Sequence, residues 1–165
     1  MVLIDVILLI ILGGFILGGF WFGAIHTLGS LVGVIVGAWV AGNYYAAVAS
    51  WGQFMWGTSD LAYILAFIII LVAVNRLVGL LFYFLDRLFE IISIIPFLTS
   101  INRLLGGGFG FFEGMFTVGL VLFFVSRYPL NDWLTNQLLT SQVAPWFIST
   151  TQFLAPILPT FLRQL

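Results

Sequence analysis

From Val6 to Ser59 the chain carries no aspartate, glutamate, lysine or arginine, an uninterrupted run of 54 residues. One bilayer crossing takes about 20 apolar residues, so this run alone has the length for a helical hairpin inside lipid. Few alternatives survive it. A soluble domain carries roughly 25% charged residues, whereas the 165 residues here are 7% charged and 62% hydrophobic. The strands of a membrane barrel alternate apolar and polar residues, a period these stretches lack. A lipid-exposed backbone must satisfy its own hydrogen bonds, which a helix does locally. The expected fold class is therefore an all-α polytopic membrane protein with about four transmembrane helices.

Breaks at glycine pairs, charges and prolines divide the chain into apolar segments Val2 to Leu17, Ala24 to Ala41, Leu61 to Leu85 and Leu104 to Ser126. The first is short for a crossing, and the turn after it is expected between Gly18 and Gly23. The N-terminus lacks a basic region and a small-residue cleavage site, so this first helix is expected to be retained. Trp21, Tyr44, Tyr45, Trp51 and Trp56 are expected at the headgroup layer, the last four filling the connection between segments two and three. Asp86, Arg87, Glu90 and Arg103 flank isoleucines and phenylalanines around Pro96, which suggests an interfacial elbow over 86–103. These features give a bundle over 1–128 and an amphipathic tail over 129–165. In the tail, two short helices are expected on the membrane surface or against the bundle, divided near Pro145 and ended near Pro156. Trp133, Leu134 and Leu138 share one face there, and Trp146 and Phe153 another. Arg87 and Arg103 near the membrane tilt the 86–103 connection towards the cytoplasm.

Glycine recurs every fourth residue in the last apolar segment. At about 100° per residue, Gly106, Gly110, Gly114, Arg103 and Glu113 fall on one helical face. Lipid offers no hydrophobic gain from helix association, so close approach across small residues supplies the packing. This face should be a groove for a neighbouring helix. The same device is expected at Gly29, Gly33 and Gly37, and at Gly14 and Gly18. A charge on such a seam is costly, about 2.5–3.5 kcal/mol for Asp, Lys or Arg at the centre of a span on insertion scales. Glu113 should therefore have a partner. Arg76 lies nine residues before Leu85, and Glu113 nine after Leu104, so antiparallel helices would bring the two to one depth as an ion pair, with Asn75 beside them. Asp5 is expected near the opposite membrane face, beside Arg127. Asp60, Asp86 and Asp132, like Asp5, read as solvated ends of spans.

Several chemistries can be set aside. All five basic residues are arginines in a chain of net charge -1, which leaves no basic tract for nucleic acid. With no cysteine and one histidine, thiol catalysis and paired-imidazole metal sites cannot be built. A phosphate loop needs a lysine that the sequence lacks. His26 and Ser30 share a helical face, but no third group completes a hydrolase. No catalytic residue, metal site or cofactor is expected. Asn75, Arg76 and Glu113 remain as intramembrane polar groups, which by default carry a functional hypothesis such as an ion or proton path.

The stretch "INRLLGGGFGFFEGMFTVGLVLFF" resembles the N/D-R-x-L-G-x-x-x-G-x-x-x-G signature of the colicin V production protein (CvpA) family of bacterial inner-membrane proteins. Asn102, Arg103, Leu105, Gly106, Gly110 and Gly114 fit it. Asp5, the pair Gly19 and Phe20, and the tail element "SQVAPWF" are also similar to that family. Gly18, Phe22 and Gly23 depart from it where charged residues are usual. The resemblance implies a four-helix, multi-pass inner-membrane protein linked to production or export of a colicin V-like peptide toxin and to envelope physiology, and the expected role is that of a non-enzymatic accessory or assembly factor. A channel or transporter subunit with a polar path at Asn75, Arg76 and Glu113 is the alternative. Expected partners are the lipid bilayer and, through the glycine seams, a second copy or other membrane proteins.

Overall fold

The computed structural model of the chain describes residues 3–56, 60–90, 96–128 and 132–154. Of 53–56, 60, 85–90, 96–99 and 154 only the backbone is described. Four long helices run in chain order: α1 (Leu3–Phe22), α2 (Ala24–Trp56), α3 (Asp60–Glu90) and α4 (Pro96–Arg127). All four contain a stretch long and apolar enough to cross a membrane. Two short helices, α5 (Asp132–Thr140) and α6 (Ala144–Thr150), follow, and α6 runs into a 3₁₀ turn at Thr151–Leu154. No strand occurs among the described residues.

The helices outrun the apolar segments that define them. α1 continues past Leu17 to Phe22, and the turn is the single residue Gly23, whose φ of 84° lies in the left-handed region that favours glycine. α2 does not end at Ala41 but continues through Tyr44, Tyr45 and Trp51. At 33 residues it is about 50 Å long, well beyond the roughly 30 Å hydrocarbon core. Trp51 is 84% exposed, as a headgroup residue would be, but Tyr45 is 8% exposed and belongs to the core. Its hydroxyl lies 3.2 Å from that of Tyr128, and its ring meets Phe124 edge-on at 5.0 Å. A buried aromatic with a hydroxyl partner satisfies its polar tip without reaching water.

The elbow expected over 86–103 is helix at both described ends. α3 extends to Glu90, and Pro96 opens α4, where its missing N–H costs nothing. Residues 91–95 and the side chains of Trp56, Asp60, Asp86, Arg87 and Glu90 lie outside what the structure describes, as do Pro156 and Arg163.

Helices adjacent in sequence are not all neighbours in space. α2 packs chiefly on α3 and α1 chiefly on α4, with α2 against α4 joining the two pairs. The glycine seams fit this pairing. A Cβ built on Gly19 would strike the carbonyl of Gly106, and one on Gly106 would strike the Gly19 carbonyl and the Gly23 backbone. Gly110 and Gly114 continue the contact along α1 to Phe15 and Leu12. Gly29, Gly33 and Gly37 bring α2 onto Phe82, Asn75 and Leu71 of α3. Gly14 and Gly18 overturn the expectation: nothing lies within 4 Å of a Cβ added at either. Repeat spacing sets only which way a glycine faces, and α1 has but one flank against α4.

The core of the bundle lies towards the end opposite the Gly23 turn. Val34, Ala38, Phe67, Leu71, Leu120 and Phe124 form one buried cluster, in which Phe67 and Phe124 stack at 4.0 Å. Leu8, Leu12, Val118, Leu122, Ala144 and Phe147 form another, beneath α6. Gly119 admits α6 so closely that a side chain there would strike the Phe147 carbonyl. The tail's two helices are divided at 141–143, and Pro145 stands in the first turn of α6.

Candidate functional site

α1 leans on α4 and α3 on α2, and the space left between α1 and α3 is a cleft of about 680 Å³. On α1 it is bordered from Ile11 to Phe22 and on α3 from Val72 to Tyr83. Each stretch rises about 16 Å, so the hollow occupies one half of the bundle's depth. The two packed clusters fill the other half. Gly14 and Gly18 open onto this cleft, and their lack of neighbours is what gives it room.

Its walls gather polar groups from three of the spans. Asn75 and Arg76 come from α3, Glu113 and Thr117 from α4, and His26, Thr27 and Ser30 from α2. The apolar span of α3 is Leu61–Phe84 and that of α4 is Ser100–Arg127. Glu113 is thus at mid-span, and Arg76 about 5 Å beyond the middle of its own. Asn75 and the Arg76 guanidinium both stand close enough to Glu113 to act on its carboxylate. The three polar residues named from the sequence are therefore together in one cleft. Arg76 is exposed and Glu113 half-buried. The Asn75 Oδ1 and the Thr117 hydroxyl are buried with no hydrogen-bond partner among the described residues. At the mouth, the Phe22 ring sits 4.9 Å from His26, and Tyr83 meets His26 edge-on at 6.3 Å.

A second constellation builds the turn that frames the cleft. The Ala24 amide, first of α2, donates to Asn102 Oδ1 at 2.9 Å, so a residue of α4 caps a helix 78 positions away. A Cβ on Gly23 would stand 2.5 Å from Asn102 Nδ2. The Thr27 hydroxyl donates to the Gly23 carbonyl at 2.6 Å. Asn102, Gly106 and Gly110 thus clamp Gly19 and the turn, while Arg103, the next residue of the motif, is exposed.

Asp5 makes a third. It was expected as a solvated end beside Arg127; instead it is fully buried. The Ser141 hydroxyl donates to its carboxylate at 2.5 Å and the Val143 amide at 3.3 Å. Ser141 Oγ in turn accepts from the Ala144 amide at 2.8 Å. A buried carboxylate needs donors, and the bend between α5 and α6 supplies them. Asp132, by contrast, is exposed in the first turn of α5.

The four parts of the chain singled out by resemblance thus meet in two pairs: the N-terminal aspartate with "SQVAPWF", and the Gly19 turn with the Asn102 motif. A family model described as Colicin V production protein matches residues 4–152, most of the chain. The chain belongs to the colicin V production protein family. No match was found among curated proteins or among solved structures. As a family member with four apolar helices of spanning length, it is a membrane protein.

Three residues of these sites, Thr27, Gly79 and Thr117, were not singled out from the sequence. Thr117 is one helical turn from Glu113 and Gly79 one turn from Asn75, so the i, i+4 rule could have found them. Gly23 was only one of six positions for the turn. Ser141 stands in the tail element "SQVAPWF", but its role comes from a carboxylate 136 residues away.

Proposed function

We propose that this member of the colicin V production protein family is a non-enzymatic accessory protein of the bacterial inner membrane that serves the production or export of a small peptide toxin, and that the α1/α3 cleft is its working part. The observation that carries the reading is the cleft itself, a hollow held open by Gly14 and Gly18 and furnished at mid-span with Asn75, Arg76 and Glu113. Lone charges at that depth are expensive and belong to protein interiors or cavities that use them. A stability role alone would favour filling the space with apolar side chains.

The test is toxin release. Cells that make a colicin V-type peptide would have their own family member replaced by this chain, by Gly14→Leu, whose side chain would occupy the cleft, or by Glu113→Gln. The expected outcome is export restored by the unaltered chain and lost with both variants at unchanged membrane abundance. Full export with both variants would remove the cleft from the function.

A second reading, a subunit conducting an ion or solute, is favoured by the gathering of Asn75, Arg76 and Glu113 in one cavity. Against it stands the packing of Leu71, Leu120, Phe67 and Phe124 beyond the cleft, which leaves it one-ended. Ion flux in liposomes that Glu113→Gln abolishes would decide for conduction.

A further inference from the structure

The cleft holds one basic and one acidic side chain from different helices, Arg76 of α3 and Glu113 of α4. Charged together, they leave it electrically neutral. In a region of low dielectric, any ligand of net charge would spoil that balance: an anion would add a second negative charge beside Glu113, and a cation a second positive charge beside Arg76. A ligand bearing both charges keeps the site neutral while giving each residue a partner.

We propose that the cleft binds an amphiphile whose head carries an ammonium and an acidic group side by side, the acidic group on Arg76 and the ammonium on Glu113. The proposal rests on the reading of the cleft as the working site and names the chemistry of what occupies it. Arg76 brings five N–H donors in a planar fork that suits a carboxylate or a phosphate. The Glu113 carboxylate, with Asn75 beside it in the cleft wall, has acceptor capacity for an ammonium. The unpartnered Thr117 hydroxyl, one turn along α4, adds polar capacity that the resident groups leave unused. The head fills only part of the space. At about 680 Å³ the cleft is within the 300–1,000 Å³ of small-molecule sites, and Ile11, Phe15, Val72 and Leu80 line the rest with hydrocarbon. An apolar body is therefore part of the ligand.

Two sources share this chemistry: a free apolar α-amino acid and a phosphatidylethanolamine headgroup. The full chain in phosphatidylglycerol nanodiscs would be titrated calorimetrically with L-phenylalanine, its N-acetyl form and its amide. In parallel, phosphatidylethanolamine would be introduced and bound lipid counted by native mass spectrometry against phosphatidylglycerol. The expected result is that one of the two zwitterions binds at least about tenfold tighter than its singly charged counterparts, a difference one well-formed charged contact can supply. Glu113→Gln should then narrow the preference over the anionic counterpart, and Arg76→Gln that over the amide. Gly14→Leu should remove binding with the thermal unfolding midpoint unchanged, which separates loss of the site from loss of the fold. Equal or tighter binding of the anionic forms overturns the proposal, as does failure of both zwitterions to bind the folded unaltered protein. If both fail while Gly14→Leu still stops toxin release, the ligand chemistry falls and the proposed function stands. If binding follows expectation but Gly14→Leu exports normally, the proposed function falls and the binding site stands.

Discussion

Two alanine substitutions of the same kind, Gly106→Ala and Gly14→Ala, should have opposite consequences. Each adds one methyl group to a glycine within a transmembrane helix, and the gain in helix propensity, up to about 1 kcal/mol in water, is common to both. Only the surroundings differ. At Gly106 the new Cβ would strike the carbonyl of Gly19 and come 2.7 Å from the Gly23 carbonyl carbon. Both obstacles are backbone, so no side chain can rotate aside. Restoring ordinary contact near 3.4 Å means moving α1 roughly 1 Å off α4, weakening the contacts of Gly110 and Gly114 below it. Overpacking of this kind costs about 1–3 kcal/mol, and rigid atoms on both sides place it near the upper end. At Gly14 nothing lies within 4 Å of the added atom, so that cost is absent. Measured as reversible unfolding in mixed micelles by far-UV circular dichroism, Gly106→Ala should be less stable than Gly14→Ala by about 1–3 kcal/mol. Equal effects, or a larger loss at Gly14, would refute the assignment of one glycine to a helix contact and the other to a hollow.

Further outcomes follow from the polar clamps. Ser141→Ala removes one donor from the buried Asp5 carboxylate and should cost about 1.5–3 kcal/mol, read as faster amide exchange across α6. Asn102→Ala leaves the Ala24 amide without its acceptor and should cost about 1 kcal/mol by the same unfolding assay, whereas Asn102→Asp, which keeps an oxygen there, should lose less. Tyr45→Phe deletes the hydroxyl pair with Tyr128 but keeps the ring against Phe124. Its cost should be about 0.5–1.5 kcal/mol in unfolding free energy, with toxin release unchanged.

Much of the bundle could be read from residues alone, because its governing quantities are local. A charge-free run of 54 residues exceeds what one crossing needs, and every lipid-exposed backbone must close its hydrogen bonds within the helix. Four spans, a turn somewhere in 18–23, the small-residue faces on α2 and α4 and the placing of Arg76 and Glu113 within about 5 Å of one depth all follow from counting. Ends were harder to place. The run from Ala41 to Trp56 mixes tyrosine, tryptophan and glycine and looks like a connection, yet it is helix because Tyr45 is packed among Tyr63, Phe124 and Tyr128.

What a side chain or a glycine faces was decided by tertiary structure. Gly14 and Gly18 have the same spacing as Gly106 and Gly110, yet the first pair opens on a void and the second on backbone. Spacing gives direction around one helix axis, while the neighbour in that direction depends on where the one-residue turn at Gly23 sends α1. Asp5 is similar. A carboxylate near the end of an apolar helix can be solvated or buried at comparable local cost, and only a hydroxyl and an amide arriving from 141–143 make burial tolerable. Solvent and helix number belong to composition; the hollow and its clamps arise from contacts between residues far apart in the chain.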